Sequence, residues 1–176
     1  MRTLIKDGTV VSASDSFVAD VWIEGGKVVG LTDPSQRAAL GTAEKTIDAK
    51  GTYVIPGGID CHTHMDLPFG GTTASDDFDT GTVAAAHGGT TTIVDFAIQS
   101  KGSSMKAGLD TWHAKAEGKA AIDYGFHMIM TEANPSTLEE MASCIREGIT
   151  SFKMFMAYPG VFLVDDQQIF RSMLRA

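Results

Sequence analysis

The chain has 176 residues, of which 43% are hydrophobic and 20% are charged, a composition typical of a globular protein with a buried core. Its formal charge of -8 disfavours binding to nucleic acid or to an anionic membrane, because both need a basic surface. No apolar run approaches the ~18 residues of a membrane span, and the N-terminus becomes charged too early for a secretion signal. The two cysteines, Cys61 and Cys144, are too few for a disulfide framework, so we expect reduced thiols and a cytoplasmic location.

Residues 1–52 predict a small β module, with the fold of a β-sandwich. Short apolar strands flank Asp7-Gly8 and Gly25-Gly26, two dipeptides that favour the tight turns of β-hairpins. Residues 34–44 have the composition of a surface loop with one helical turn, and the β character continues at 46–48. This module contains no obvious chemical motif.

From residue 53 onwards, the pattern changes to strands that alternate with helices. The predicted order is a strand over 53–64, a glycine-rich loop at 70–73, a helix over 78–87, a strand over 90–97, a helix over 104–118, a strand over 122–130, a helix from a capping box at 136–139 to about 148, a strand over 151–157 and a last helix capped at 165–168. Four successive β/α units imply an α/β fold with a parallel sheet, and a TIM-type (β/α)₈ barrel has eight of them. Because such a barrel takes ~250 residues, residues 53–176 are expected to be its first half, in a truncated chain that is inactive alone.

The strongest chemical motif lies at the end of the first strand of this region. Residues 55–66 are an apolar strand that ends in two histidines one residue apart, His62 and His64. Because side chains alternate along a strand, both imidazoles point the same way and lie close enough to bind one metal ion. Cys61 has the opposite alternation phase and is a poor third ligand. The alternative is that two histidines meet at a strand end by chance.

Lys153 is the second unusual residue, because it lies within the apolar stretch 151–157. Burial of a lysine is costly unless its charge is removed or paired. A lysine with a lowered pKa can add carbon dioxide, and the resulting carbamate is an oxygen ligand able to bridge two metal ions. The alternative is a lysine whose amine reaches solvent from the end of the strand. The presence of His62 and His64 favours the metal ligand.

Other histidines and acidic residues are weaker candidates. His87 and His113 are expected on helices, the first beside a helix C-terminus and the second exposed to solvent. His127 is on the third predicted strand, where a core or supporting position is favoured over metal binding. Asp66 and Asp95 lie near strand ends, and ordinary loop hydrogen bonding is predicted for both.

Four stretches together resemble the dihydropyrimidinase/D-hydantoinase branch of the amidohydrolase superfamily. They are residues 57–66, 68–71, 88–92 and 153–158. A His-X-His pair alone fits the whole superfamily, whereas this combination is specific to the branch, and the likeness extends over the whole chain.

The resemblance implies a zinc-dependent hydrolase with a binuclear site in a (β/α)₈ barrel. His62 and His64 would bind the more buried Zn²⁺, and N6-carboxylated Lys153 would bridge two Zn²⁺ ions. A hydroxide held by the metals would attack the ring carbonyl of a cyclic amide or ureide, such as a 5,6-dihydropyrimidine or a 5-substituted hydantoin. Two further histidines and an aspartate that shuttles the proton are expected beyond residue 176. The family also implies a homotetramer.

The resemblance also assigns the residues that contact the substrate. Tyr158 matches a catalytic tyrosine whose phenol stabilises the developing oxyanion and binds the substrate. Phe155, Phe162 and Leu67 match positions at which family members line the pocket for the ring substituent. The partner is therefore a small cyclic amide, with no nucleic acid and no membrane.

Two alternatives remain open at this point. Allantoinase- or dihydroorotase-type cyclic amidohydrolases are similar, but dihydroorotase-like enzymes carry an arginine two residues after the second histidine. Asp66 occupies that position here, which disfavours an anionic substrate. The other alternative is a non-catalytic dihydropyrimidinase-like scaffold protein. Such relatives have lost metal ligands, whereas His62, His64 and Lys153 are all present, so catalysis is favoured.

Overall fold

The computed structural model describes all 176 residues, which fall into two compact units. The first unit is Met1–Pro56 and the second is Gly57–Ala176. None of the helices has the length and apolar character needed to cross a lipid bilayer.

The first unit is built on a single five-stranded sheet. Its strands are β1 Arg2–Val11, β2 Ser16–Glu24, β3 Lys27–Thr32, β4 Lys45–Asp48 and β5 Tyr53–Val54, and a 3₁₀ helix spans Pro34–Leu40. The order is β3-β2-β1-β4, and β5 also pairs with β1. β1, β2 and β3 are antiparallel, whereas β4 and β5 run parallel to β1. A β-sandwich needs a second sheet packed against the first, so the sandwich fold of this unit stays a prediction.

The hairpin predicted at Gly25-Gly26 is confirmed. These two residues have φ values of 58° and 77°, and they connect Glu24 of β2 to Lys27 of β3, which face each other across the sheet. Two positive φ values in a two-residue loop match the twist of the flanking strands, and glycine adopts them without steric cost.

The hairpin predicted at Asp7-Gly8 is wrong, because β1 continues through both residues. The register with β2 shifts at this point, and Asp7 has a φ of 60° within a β-bulge. Tertiary contacts stabilise the bulge: the Asp7 backbone N–H donates to the buried carboxylate of Asp20, and Arg37 binds both carboxylates. These partners lie far along the chain, so the local dipeptide signal could not reveal them.

The second unit contains strands that alternate with helices, as predicted. Its elements are β6 Gly58–Thr63, β7 Pro68–Phe69, β8 Thr72–Thr73, α1 Thr80–His87, β9 Thr90–Ile98, α2 Met105–Ala116, β10 Asp123–Ile129, α3 Pro135–Arg146, β11 Phe152–Lys153 and α4 Asp166–Arg175. Four strands form a parallel sheet in the order β11-β10-β9-β6, so strands that follow one another along the chain are also neighbours. β7 and β8 form a short antiparallel hairpin where the sequence predicts only a loop.

The helix starts follow from their capping residues. Asp165 accepts the backbone N–H of Gln168 and caps α4, as predicted. The capping box predicted at 136–139 is wrong, because Asn134 is the N-cap of α3 and accepts the N–H of Thr137. Pro135 then occupies the first helical turn, where its missing N–H costs nothing.

The strand predicted over residues 53–64 is in fact two strands. Tyr53–Val54 pairs with β1 in the first unit, and β6 starts later in the second. Pro56 has no N–H for a ladder, and Gly57 approaches Thr91 so closely that a Cβ atom would lie 2.1 Å from the hydroxyl oxygen. The regular strand therefore breaks between these two elements.

The last strand is shorter than the predicted 151–157, since β11 contains only Phe152–Lys153. Beyond it the chain turns back on itself, and the carbonyl of Phe155 accepts the N–H of Val164 at 3.0 Å. This local pairing closes a loop that carries Tyr158.

The residues on the two faces of the parallel sheet pack into two different hydrophobic clusters. Alternate residues of β9 and β10 pack against the helices in a large apolar core, which includes Ile93, Ala97, Phe126, Met128, Leu109, Trp112 and Met141. The intervening residues Phe96 and Ile129 pack with Phe162 in a smaller cluster on the other face. The site described below lies on this second face.

Candidate active site

His62 and His64 are brought together at the end of β6. Their ring centroids lie 5.2 Å apart, and both rings pack against Phe96, at 4.6 Å and 5.0 Å. Thr63, between them, points to the other face and donates its hydroxyl to Asp95 at 2.9 Å. The alternation of a β-strand therefore places both imidazoles on one side.

Lys153 reaches the histidine pair from β11. Its Nζ lies 3.5 Å from Nε2 of His62 and 4.2 Å from the centroid of the Phe96 ring. β6 and β11 are the two outer strands of the four-stranded order, about three strand spacings of ~4.8 Å apart. Side chains from both edges thus converge above Phe96, which is consistent with a sheet that curves towards this face.

The environment favours the uncharged forms of Lys153 and His64. Burial lowers the pKa of the Lys153 amine below its usual range. Burial, followed by the positive charge of Lys153, lowers the pKa of His64. A neutral imidazole is the form that binds metal, and a neutral amine is the form that reacts with carbon dioxide. In addition, Nδ1 of His64 is buried and has no hydrogen-bond partner.

A cavity of about 250 Å³ adjoins these groups. It is lined by His64, Leu67, Phe69, Ile129, Lys153, Phe155, Tyr158 and Phe162. The structure therefore brings together all the site residues expected from the sequence, with His62 next to the cavity through its contacts with His64 and Lys153.

Three residues of this site were not expected from the sequence. Ile129 follows His127 by two positions on β10, so strand alternation could have identified it. Phe96 could have been found in the same way from β9. Phe69 lies in the hairpin of β7 and β8, and its ring stacks against Phe162 with centroids 6.0 Å apart. The sequence gives no signal for that contact.

The loop after β11 holds Tyr158 in an uncommon backbone conformation. Tyr158 has a φ of 63°, which is rare for a bulky side chain. Its carbonyl oxygen accepts the backbone N–H groups of Val161, Phe162 and Leu163 at 3.0 to 3.2 Å. These three bonds stabilise the turn, and the phenol ring lies against Phe155, with centroids 5.6 Å apart.

His127 contacts residues that adjoin the site, but it does not line the cavity. Its Nε2 lies 2.9 Å from the carbonyl oxygen of Cys61, and its Nδ1 contacts the hydroxyl of Ser151. Both ring nitrogens are thus engaged, in agreement with the expected supporting position. The contacts link the residue before His62 to the segment that leads into β11.

Two acidic residues differ in their surroundings. Asp95 lies inside β9, within the predicted strand 90–97, and it is fully buried there, whereas the sequence predicts ordinary loop hydrogen bonding for its side chain. Asp66 lies beyond β6, where Lys115 contacts its carboxylate at 3.3 Å and its carbonyl oxygen at 2.7 Å. Cys61 is exposed, and no third histidine, cysteine, aspartate or glutamate side chain completes a metal cluster with the histidine pair.

Comparison with known proteins shows the family to which this sequence belongs. Residues 53–164 match the model of the amidohydrolase family. The chain belongs to the amidohydrolase family. Within it, the resemblance to the branch that contains D-hydantoinases and dihydropyrimidinases is confirmed.

Individual relatives support this placement over nearly the whole chain. A D-hydantoinase from Streptomyces coelicolor is 63% identical over 99% of the chain, and one from Geobacillus stearothermophilus is 51% identical over 100%. The crystal structure of dihydropyrimidinase from Brevibacillus agri matches 99% of the chain with a TM-score of 0.94 and 53% identity. The chain spans only 38%, 37% and 37% of the lengths of these three proteins.

The residues of this amidohydrolase chain fit a divalent metal ion. His64 offers a buried nitrogen that no protein group satisfies, and His62 offers Nε2 beside the amine of Lys153. Imidazole nitrogen and carboxylate-type oxygen are ligands that zinc accepts. The donor set therefore consists of two imidazoles, plus an amine whose lowered pKa suits its conversion to a carbamate.

Proposed function

We propose that the protein is a zinc-dependent hydrolase that opens the ring of cyclic amides and ureides, with 5,6-dihydropyrimidines and 5-substituted hydantoins as substrates. The observation that carries the proposal is the approach of Lys153 to His62 beside the unpartnered nitrogen of His64. The names of the relatives, D-hydantoinase and dihydropyrimidinase, support the substrate class.

The proposed fold of the second unit is half of a TIM-type (β/α)₈ barrel. Four parallel strands in chain order, each followed by a helix, are the repeat from which such a barrel is built. The convergence of Lys153 and His62 from the two outer strands supports the curvature that closure needs. His64, Lys153 and Tyr158 all follow or end a strand, as active-site residues of such barrels do.

The proposed metal ligands are His62, His64 and N6-carboxylated Lys153. Together with further ligands, they would bind two Zn²⁺ ions. A bound zinc pair would supply Lewis acidity towards a carbonyl oxygen and lower the pKa of a water ligand. The chain itself places both imidazoles on one side, and burial lowers the pKa of His64. Phe96 beneath them excludes water from that side of the site and fixes the ring positions.

Tyr158 is the proposed donor to the oxyanion that develops on the ring carbonyl. Its phenol belongs to the cavity wall that also contains Lys153, and the hydrogen-bonded turn restrains its position before the substrate binds. A preorganised donor of this kind stabilises a transition state more than a ground state. Phe155, Phe162 and Leu67 form the apolar wall that would accept the ring substituent.

The charge near the site favours a neutral ring over an anionic one. The second residue after His64 is Asp66, so no cation at this position can bind a substrate carboxylate. The Asp66 carboxylate is itself paired with Lys115 at 3.3 Å. We therefore propose a neutral substrate, with dihydroorotate as the disfavoured alternative.

The experiment compares ring opening of dihydrouracil, a 5-monosubstituted hydantoin, allantoin and dihydroorotate by the zinc-loaded, full-length protein. We expect kcat/KM for the neutral six-membered ring or the hydantoin to exceed that for dihydroorotate by about 100-fold or more. Turnover of dihydroorotate at equal efficiency, or no turnover of either favoured ring, would overturn the proposal. Tyr158→Phe keeps the ring and removes the phenol, and we expect it to lower kcat by about 10²–10³-fold.

The assembly and location of the protein stay predictions. We propose a homotetramer on the basis of the family resemblance, and a cytoplasmic location on the basis of its two free cysteines. Light scattering of the purified protein and fractionation of the cells that produce it would test them separately.

A further inference from the structure

Asp95 is a fully buried carboxylate that the proposed chemistry does not use. Its Oδ1 accepts the backbone N–H of Phe96 at 2.7 Å and the indole N–H of Trp112 at 3.1 Å. Its Oδ2 accepts the hydroxyl of Thr63 at 2.9 Å and the backbone N–H of Met65 at 2.7 Å. All four partners donate an N–H or O–H group, so both carboxyl oxygens act as acceptors.

The two contacts on Oδ2 lie immediately before and after His64. Regular pairing does not fix this segment, because the register between β6 and β9 shifts between Asp60 and Thr63. Such a shift disrupts the ladder of backbone hydrogen bonds and allows a strand to bend. Met65 lies beyond the last paired residue, and its N–H finds an acceptor only in Asp95.

We propose that Asp95 is the positioning residue of the metal centre, because it holds the chain on both sides of His64 and so fixes the direction of that imidazole. This inference rests on the proposed function, since it takes His64 as a metal ligand. Asp95 itself points to the helix-covered face through its bond with Trp112, so it touches neither metal nor substrate. Groups that orient a ligand in this way typically change metal affinity by about 10–100-fold.

The first test is the zinc dissociation constant of Asp95→Asn, measured by competition with a chromogenic chelator on the full-length, metal-free protein. The substitution preserves size but replaces one acceptor oxygen by a donor, so we expect about 10–100-fold weaker binding. Asp123→Asn is the matched control, because Asp123 is an exposed carboxylate on the neighbouring strand β10. Its zinc affinity is expected to stay within about twofold of the parent value. Parent-like affinity in folded Asp95→Asn would overturn the proposal.

A second pair of variants covers the case in which Asp95→Asn does not fold. Thr63→Val removes one donor to Oδ2, whereas Thr63→Ser retains the hydroxyl. We expect zinc affinity to fall in the first and to recover in the second. Trp112→Phe removes a donor from Oδ1 only, so it should lower the melting temperature without a matching loss of zinc affinity. Equal zinc affinity in the valine and serine variants, or a loss that simply follows the melting temperature, would assign Asp95 a structural role alone.

Hydrogen exchange separates this inference from the proposed function. In the metal-free protein, the Met65 amide should exchange about tenfold faster or more in Asp95→Asn, because it loses a bond to a carboxyl oxygen. Amides of β10 should retain parental protection. If the parent protein binds no zinc, the proposed function fails, and this exchange rate alone decides the positioning role. Unchanged exchange at Met65 would then reject it.

Discussion

The two faces of the parallel sheet differ in their residue types and in how far their polar groups are hydrogen-bonded, although the same strands form both. On the helix-covered face, Ile93, Ala97, Phe126 and Met128 are at most 5% exposed, and packing leaves no polar group of Asp95 unsatisfied. The basic side chains of the opposite face are His62, His64, His127 and Lys153. There, one buried imidazole nitrogen lacks a partner and a lysine lies against aromatic rings.

We infer from this difference that the helix-covered face determines stability and that the opposite face carries the proposed chemistry. Buried polar groups are normally hydrogen-bonded, so an unpartnered nitrogen and a lysine with a lowered pKa indicate groups retained for function. The helix-covered face should therefore respond to substitution with a loss of stability. The opposite face should respond with a loss of metal and activity.

The largest expected effect is that of Lys153→Ala. We expect kcat to fall by about 10³-fold or more, because a bridging ligand affects the whole metal centre. The free energy of unfolding of the metal-free protein should not decrease, since a partly desolvated amine is removed. Steady-state kinetics and urea unfolding measure the two quantities. Added short carboxylic acids should partly restore activity, whereas parental turnover without them would contradict a bridging role.

Leu109→Ala is the corresponding change on the helix-covered face. Leu109 is 1% exposed in α2, so its truncation should cost about 2–5 kcal/mol of unfolding free energy. The zinc content per folded molecule should stay at the parental level. Leu109→Met is the control, with an expected cost below about 1.5 kcal/mol. A loss of zinc in the folded alanine variant would show that the two faces are not separable in this way.

His127→Ala should have a smaller effect, because His127 contacts residues that adjoin the proposed metal ligands and not those ligands themselves. We expect zinc affinity to fall by about 10-fold, the lower end of the range for supporting groups. Ser151→Ala removes one of the two hydrogen bonds of His127 and should lower zinc affinity less. Chelator competition gives both values. A larger effect for Ser151→Ala than for His127→Ala would show that His127 does not link the two segments.

The smallest expected effect is the pH dependence of stability contributed by His64. Its pKa is lowered in the folded protein from the ordinary value of 6.5, so the unfolded chain binds the proton more readily. The contribution of neutral His64 to the stability of the metal-free protein is therefore fully present above pH 6.5. It is lost as the pH falls through the lower pKa of the folded protein. Urea unfolding of the parent and of His64→Gln at several pH values measures this contribution. The same acid dependence in both proteins would contradict it.

Sequence reasoning succeeded where local rules determine structure. Strand alternation predicts the common direction of His62 and His64, and the position of Lys153 in an apolar strand indicates a lysine with a lowered pKa. The turn at Gly25-Gly26 follows equally from local conformational preference.

It failed where distant residues decide the outcome. Asp7-Gly8 forms a bulge because Arg37 and Asp20 bind there, and no short-range pattern encodes that contact. The buried hydrogen bonds of Asp95 are not predicted from the sequence, because its four donors come from three separate segments of the chain. The approach of Phe69 to the cavity likewise depends on how its hairpin folds back.

Zinc content measured by mass spectrometry on the full-length protein and on a His62→Ala/His64→Ala double variant tests the central claim most directly. The account predicts about two zinc ions per parent chain, and a loss of most of this zinc in the double variant, which should keep its parental melting temperature when metal-free. Equal zinc in the two proteins, or no zinc in a correctly folded parent, would contradict a metal centre on this face of the sheet.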